Sequence, residues 1–162
     1  MHDSSLTSNN IIVAITNPKI DEKVAIERLS SFYKVSQKRI IISKSKSIIV
    51  FYLAAVDKIF ERNWYYDDPT TFVASAYPIL DDRFLSNEST NLSSFLSDRH
   101  LGAAAEIWKS QAPFCYFNHN KKNNSIIVVN DFLGVGRLYK SSYAGGMSII
   151  GTSAVPTFSH QD

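Results

Sequence analysis

The stretch FCYFNHNKKNNSIIVVNDFLGVGRLYKSSYAGGMSIIGTSAVP, residues 114–156, carries the strongest fold signal in the chain. Its apolar residues come in blocks too short for helices, separated by turn formers. Pro113 to His119 and Ser125 to Asn130 read as strands. They flank Asn120 to Asn124 (NKKNN), residue types that accept tight-turn geometry. Asp131 to Gly136 (DFLGVG) reads as a second turn. Gly134 and Gly136 permit backbone conformations that other residues resist, and the Asp131 carboxylate can accept nearby backbone N–H groups. Arg137 to Ser141 and Met147 to Ser153 are two further strands around Ala144-Gly145-Gly146. Strands linked by short turns give an antiparallel meander.

Outward from this meander, Ile11 to Thr16 (IIVAIT) is a β-branched run and reads as a buried strand, broken by Asn17-Pro18. Asp21 to Lys34 shows Val24, Ala25, Leu29, Phe32 and Tyr33 near helical spacing, with Asp21 and Glu22 placed to suit the helix dipole. Arg39 to Ser43 and Ser47 to Leu53 are strands joined by a Lys-Ser-Lys turn. Ile59 to Tyr66 and Thr71 to Leu80 are two more, with Pro78 marking an edge or an end. Leu92 to Lys109 reads as a helix, with Leu101, Ala104, Ala105 and Trp108 on one face. Strands outnumber helices and hairpins connect them, so the expected class is α+β, a mainly antiparallel sandwich rather than a doubly wound sheet.

The 162 residues suit one domain, with 1–10 as a polar tail and 11–162 as the folded unit. A 44% hydrophobic share supports a real core, and a net charge of +2 is too small to argue for nucleic acid. A single cysteine, Cys115, forms no internal disulfide and points to a reducing, cytoplasmic setting. The four histidines are scattered, so a structural zinc site is not expected. The first ten residues lack the apolar core of a signal peptide, and no apolar run approaches membrane-spanning length. Neither a G-x-G-x-x-G fingerprint nor a G-x-x-x-x-G-K loop is present, so no nucleotide cofactor is expected.

The 114–156 stretch resembles the end of the glutamine-amidotransferase domain of asparagine-synthetase-type proteins. Asp131 and Gly134 match the family's Asp-x-x-Gly turn, and Leu138 and Tyr139 its Leu-Tyr strand. Thr152, Ser153 and Ala154 resemble the segment leading out of that domain, while Arg137 stands where the family has proline. The resemblance implies an N-terminal-nucleophile hydrolase fold, four-layered or reduced. It also implies a protein partner of the synthetase type, the synthetase domain itself being absent from this chain.

In that family a terminal Cys attacks the glutamine amide while its own α-amino group handles the proton. Here a tail of ten residues precedes Ile11 and holds no Cys. By position, Ala74-Ser75-Ala76-Tyr77 stands where the family's glutamine-binding loop carries Asn-Gly and an acidic residue. The implied role is a non-catalytic scaffold or partner-binding module of an ATP-dependent amide-forming system, such as asparagine synthesis, peptide cyclisation or lactam synthesis. Phe158 and the C-terminal strand are the expected docking face. The alternative is an active amidase. Its nucleophile would be Ser4, Ser5, Thr7 or Ser8 exposed by cleavage, with Ser8 nearest the strand, or Cys115 assisted by His119, which shares its strand face.

Other residue groups have plainer readings. Asp67-Asp68 and Asp81-Asp82 fit solvated turns better than a metal or acid–base pair. Trp64-Tyr65-Tyr66 fits an alternating strand better than a base-stacking platform. Lys44, Lys46, Lys121 and Lys122 lie in hairpin turns, and form a basic patch if those turns converge.

Overall fold

The computed structural model describes residues 10–54, 65–77, 115–131, 133–134 and 136–158. The terminal serines and threonine, Trp64, Pro78, Asp81-Asp82 and the 92–109 segment lie outside them. Nine strands and one α-helix are formed by the described residues: β1 (Ile11–Thr16), α1 (Glu22–Tyr33), β2 (Ile40–Lys44), β3 (Ile48–Leu53), β4 (Tyr65–Asp67), β5 (Thr71–Ser75), β6 (Cys115–Asn120), β7 (Ser125–Asn130), β8 (Tyr139–Ser142) and β9 (Ser148–Gly151). They build a five-stranded sheet ordered β2-β3-β1-β9-β8 and a four-stranded sheet ordered β4-β5-β6-β7. Every ladder is antiparallel. The expected α+β class and antiparallel layering are therefore present.

β1 sits at the centre of the first sheet, between β3 and β9. Its side chains alternate between two cores, as a strand's period of two requires. Ile11, Val13 and Ile15 pack with Ala25 and Leu29 of α1, while Ile12 and Ala14 face the second sheet and pack with Phe72, Ala74, Cys115 and Phe117. β3 repeats the division, with Phe51 and Leu53 toward the helix and Val50 and Tyr52 toward the second sheet. Burial on both faces explains why these strands read as continuous apolar runs rather than alternating ones. Each fully buried Ile, Val or Phe contributes about 1.5–3 kcal/mol.

α1 begins where the Asp21 side chain accepts the Lys23 backbone N–H at 2.8 Å, so Asp21 is the N-cap rather than a first-turn residue. The helix ends at Lys34, which takes the left-handed conformation (φ 54°). The buried stripe runs through Ala25 and Leu29, flanked by Ile26 and Tyr33. Phe32, expected on this face, is half exposed instead. It lies about 60° of helix rotation from Leu29, the centre of the Ala25–Leu29–Tyr33 row.

Phe158 corrects a second expectation. It is 2% exposed, packed into the helix-side core beneath the Arg28 guanidinium, 5.7 Å from the ring centroid. It is core rather than a docking face, because the chain after β9 folds back over α1. Arg28 Nη1 donates to the Thr157 carbonyl at 3.4 Å, and the Tyr33 hydroxyl to the Ala154 carbonyl at 2.7 Å.

The bend that starts this return is tight. A Cβ on Gly151 would lie 2.7 Å from Val155 Cγ1 and 3.1 Å from the Ser153 carbonyl oxygen. Gly151→Ala is expected to cost about 1–3 kcal/mol through overpacking. A shift in the urea midpoint with an unchanged m-value would show it, and unaltered stability would mean that the bend relaxes freely.

Candidate functional site

The gap between the two sheets has two ends, and polar groups gather at both. At one end lie the β2–β3 and β6–β7 turns. At the other lies the start of β1, with Cys115 and the Asp131 turn.

At the first end, β2 is apolar through Ile40, Ile41 and Ile42 and then places Ser43 inward, opposite Val50. β6 points Cys115, Phe117 and His119 into the same gap. Ser43 Oγ and His119 Nδ1 meet at 2.9 Å, and His119 Nε2 lies 2.9 Å from Ser45 Oγ. The direction of every proton follows from one fixed donor. The Ser47 backbone N–H donates to Asn124 Oδ1 at 2.8 Å, which orients that amide, and Asn124 Nδ2 then donates to Ser47 Oγ at 2.6 Å. Ser45 Oγ must therefore give its hydrogen to Asn124 Oδ1, at 2.7 Å, and accept from His119 Nε2–H. His119 Nδ1 is left as an acceptor for the Ser43 hydroxyl. Asn124 reaches this position through a left-handed backbone (φ 52°), which asparagine tolerates.

A serine hydroxyl donating to a neutral imidazole resembles an activated nucleophile. Here Ser43 and His119 are 1% and 0% exposed, sealed between the sheets. The second imidazole nitrogen donates to a serine rather than to an orienting carboxylate. The arrangement satisfies buried polar groups and ties the sheets together. Burial, reinforced by the Lys121 charge, lowers the His119 pKa from 6.5 to about 4, against a weaker opposing pull from Asp67.

At the second end, Asp131 is buried, accepts the Gly136 backbone N–H on Oδ2, and offers its carbonyl to the Gly134 N–H at 3.1 Å. Gly134 has φ 68°, the left-handed conformation that favours glycine. Leu138 packs into the gap, and Tyr139 opens β8 opposite Gly151. Cys115 is fully buried, and desolvation, with the Asp131 charge adding to it, pushes its thiol up to about 12. Tyr77 is raised by burial and by the Cys115 and Asp131 charges, against a backbone hydrogen bond from Arg137. Ser75 is buried on the face of β5 opposite Phe72 and Ala74, and donates to the Tyr77 carbonyl at 2.6 Å. Thr152 closes the start of β1, its Oγ1 accepting the Ile12 N–H and its own N–H reaching the Ile12 carbonyl, both at 3.0 Å.

Cys115 and His119 share a strand face as the alternation requires, yet they do not form a pair. Four residues of strand separate them by about 13 Å, and both imidazole nitrogens are engaged by serines. Asp68 accepts from Thr70 and Thr71 and is held near 2 by those bonds, a turn role rather than a metal one. Among the described residues, no group of three or more His, Cys, Asp and Glu is arranged to hold a metal ion, and no helix is long and apolar enough to cross a membrane. Ser43, Ser45 and Asn124 were not legible as a group. The available signal was a polar residue at an inward position of β2, facing another on β6. No protein-family model matches the chain, and no curated protein matches it in sequence.

Between pH 6.5 and 4 the unfolded chain binds a proton at His119 that the folded chain does not. Stability is therefore expected to fall as pH drops through this window and to stop falling below it, for this group, with a loss of at most about 3 kcal/mol. Urea titrations across the window should show a shallower pH slope for His119→Gln than for the parent chain. Equal slopes would assign the effect to other groups. Cys115 is expected to resist thiol reagents in the native state at mildly alkaline pH and to react once the chain is unfolded; rapid native labelling would contradict the buried thiol.

Proposed function

We propose that the chain is a glutamine-amidotransferase-like module that performs no amide chemistry and serves as a partner-binding scaffold for an ATP-dependent amide-forming enzyme. The observation that carries this reading is the end of the inter-sheet gap where β1 begins. An amidotransferase would hold glutamine there. In this chain Tyr77, Cys115 and the Asp131 turn crowd that end, and the Asp131 carboxylate binds its own backbone. The described histidine that could serve as a base, His119, is engaged on both nitrogens at the opposite end. The central position of β1 and the Asp131–Gly134 turn also agree with the family's plan.

Burial of Phe158 moves the expected docking face. An open groove of about 470 Å³ runs between α1 and the returning C-terminal segment, lined by Val24, Glu27, Arg28, Phe32 and Pro156 among others. Phe32 stands half exposed in it, a large aromatic with a charged rim, the composition from which interface anchors are drawn.

The test is a pull-down from the native lysate that also records the intact mass of the bait. Recovery of an ATP-dependent synthetase with an uncleaved bait, reduced at least tenfold by Phe32→Glu (about 1.4 kcal/mol), is the expected result. A bait cleaved to begin at Ser or Thr, with no synthetase recovered, would instead indicate the amidase.

A further inference from the structure

The two lysine-bearing hairpin turns converge. Asn124 of the β6–β7 turn is bonded to Ser45 Oγ, Ser47 N and Ser47 Oγ of the β2–β3 turn at 2.6–2.8 Å. The Asn17 backbone N–H donates to the Ser47 carbonyl at 2.7 Å, bringing the end of β1 and Lys19 to the same place. The Asn17 side chain reaches the Gly146 carbonyl at 3.2 Å, and the Lys19 N–H contacts Met147 Sδ, so the glycine turn before β9 joins them. Four connections thus meet in one polar platform of Lys, Ser, Asn and Gly.

The charges on the platform divide by partner. Lys44 pairs with Glu22 at 2.7 Å, and Lys121 with Asp67. Asp21 caps α1, and Asp68 is held by its own turn. Lys19, Lys46 and Lys122 are exposed and form no ion pair among the described residues. The fold gathers these three cations at one end of the sandwich, where the Asp21 and Asp68 carboxylates also stand.

The geometry points to a binding surface for a nucleic-acid phosphate backbone on this platform, made by Lys19, Lys46 and Lys122. A protein partner is the poorer fit, because interface cores rely on aromatic and apolar anchors, and the platform's turns present Lys, Ser, Asn and Gly. Phosphate oxygens are met by this set: lysine, serine, asparagine and exposed backbone. Tyr65 is packed between the sheets against Tyr52 and Phe72, 5.0 and 6.0 Å centroid to centroid, and the partly exposed Tyr66 is hydrogen-bonded to the Asp68 carboxylate. Binding is therefore electrostatic and indifferent to base sequence. This surface shares no lining residue with the α1 groove and does not rest on the scaffold reading.

Anisotropy of a fluorescent oligothymidylate against the full chain tests it. Expected is low-salt binding whose logarithmic salt slope is about −2, from three neutralised single-strand phosphates. The Lys46→Glu/Lys122→Glu double variant should bind at least tenfold more weakly. Lys38→Glu, an equivalent exposed charge reversal at the opposite end of β2, should bind like the parent. Matching circular dichroism spectra and urea midpoints keep unfolding out of the comparison. Absence of low-salt binding, or equal loss in Lys38→Glu, overturns the proposal. Polyglutamate competing as well as unlabelled oligothymidylate also overturns it, in favour of an acidic protein partner.

Discussion

The double burial of β1 is the constraint on which the remaining structure depends. A strand buried on one face needs one cover, whereas Ile11–Thr16 buries both faces and needs two. α1 supplies one cover and the second sheet the other. Because side chains alternate strictly, a one-residue slip of β1 against β3 or β9 would exchange the two sets, placing Val13 and Ile15 where Ile12 and Ala14 belong. The central position of β1 also dictates the chain's closure. β9 returns to pair with it, so the start of β1 and the end of β9 lie side by side, and the segment after β9 crosses α1.

Apolar packing alone leaves two stacked sheets able to slide, since the hydrophobic effect has no direction. The Ser43–His119–Ser45–Asn124–Ser47 chain supplies direction. Its donors run from Ser43 through His119 and Ser45 to Asn124 Oδ1, which also accepts the Ser47 backbone N–H, and the chain ties β2 and β6 at the observed offset. Neutral histidine suits this role because it can donate on one nitrogen and accept on the other. A charged imidazolium would leave Ser43 facing a donor, a cost separate from the burial and the Lys121 charge that depress the His119 pKa.

The two ends of the gap thus differ in kind. The Asp131 end is a turn closed on itself, with the carboxylate bonded to the Gly136 N–H and the Asp131 carbonyl to the Gly134 N–H. The hairpin end carries the inter-sheet polar tie and, on its outside, the exposed lysines. Corrections to the expected site share one cause. Phe158 and Phe32 exchange roles because the C-terminal segment crosses α1 rather than continuing as a sheet edge, burying the first ring and bypassing the second. Cys115 and His119 share a face without meeting, because strand neighbours four residues apart are directed at different parts of the opposing sheet.

The amino-acid order by itself determined the elements nearest its strongest local signals. These are the β-branched β1 and β3, the turns rich in Asn and Gly, the helix opened by Asp21, and the Asp131–Gly134 turn, all legible because turn geometry and side-chain period are properties of a few consecutive residues. The tertiary structure alone decided the strand order in the two sheets, the side of α1 that is buried, and the meeting of His119 with Ser43 and of Asn124 with Ser45 and Ser47. Those pairs are separated by more than seventy residues in sequence. Their contact depends on how two sheets stack and twist, a sum over many weak packing terms that no local window contains. The same applies to the lysine turns, whose convergence is a property of the stacked sheets and not of either hairpin.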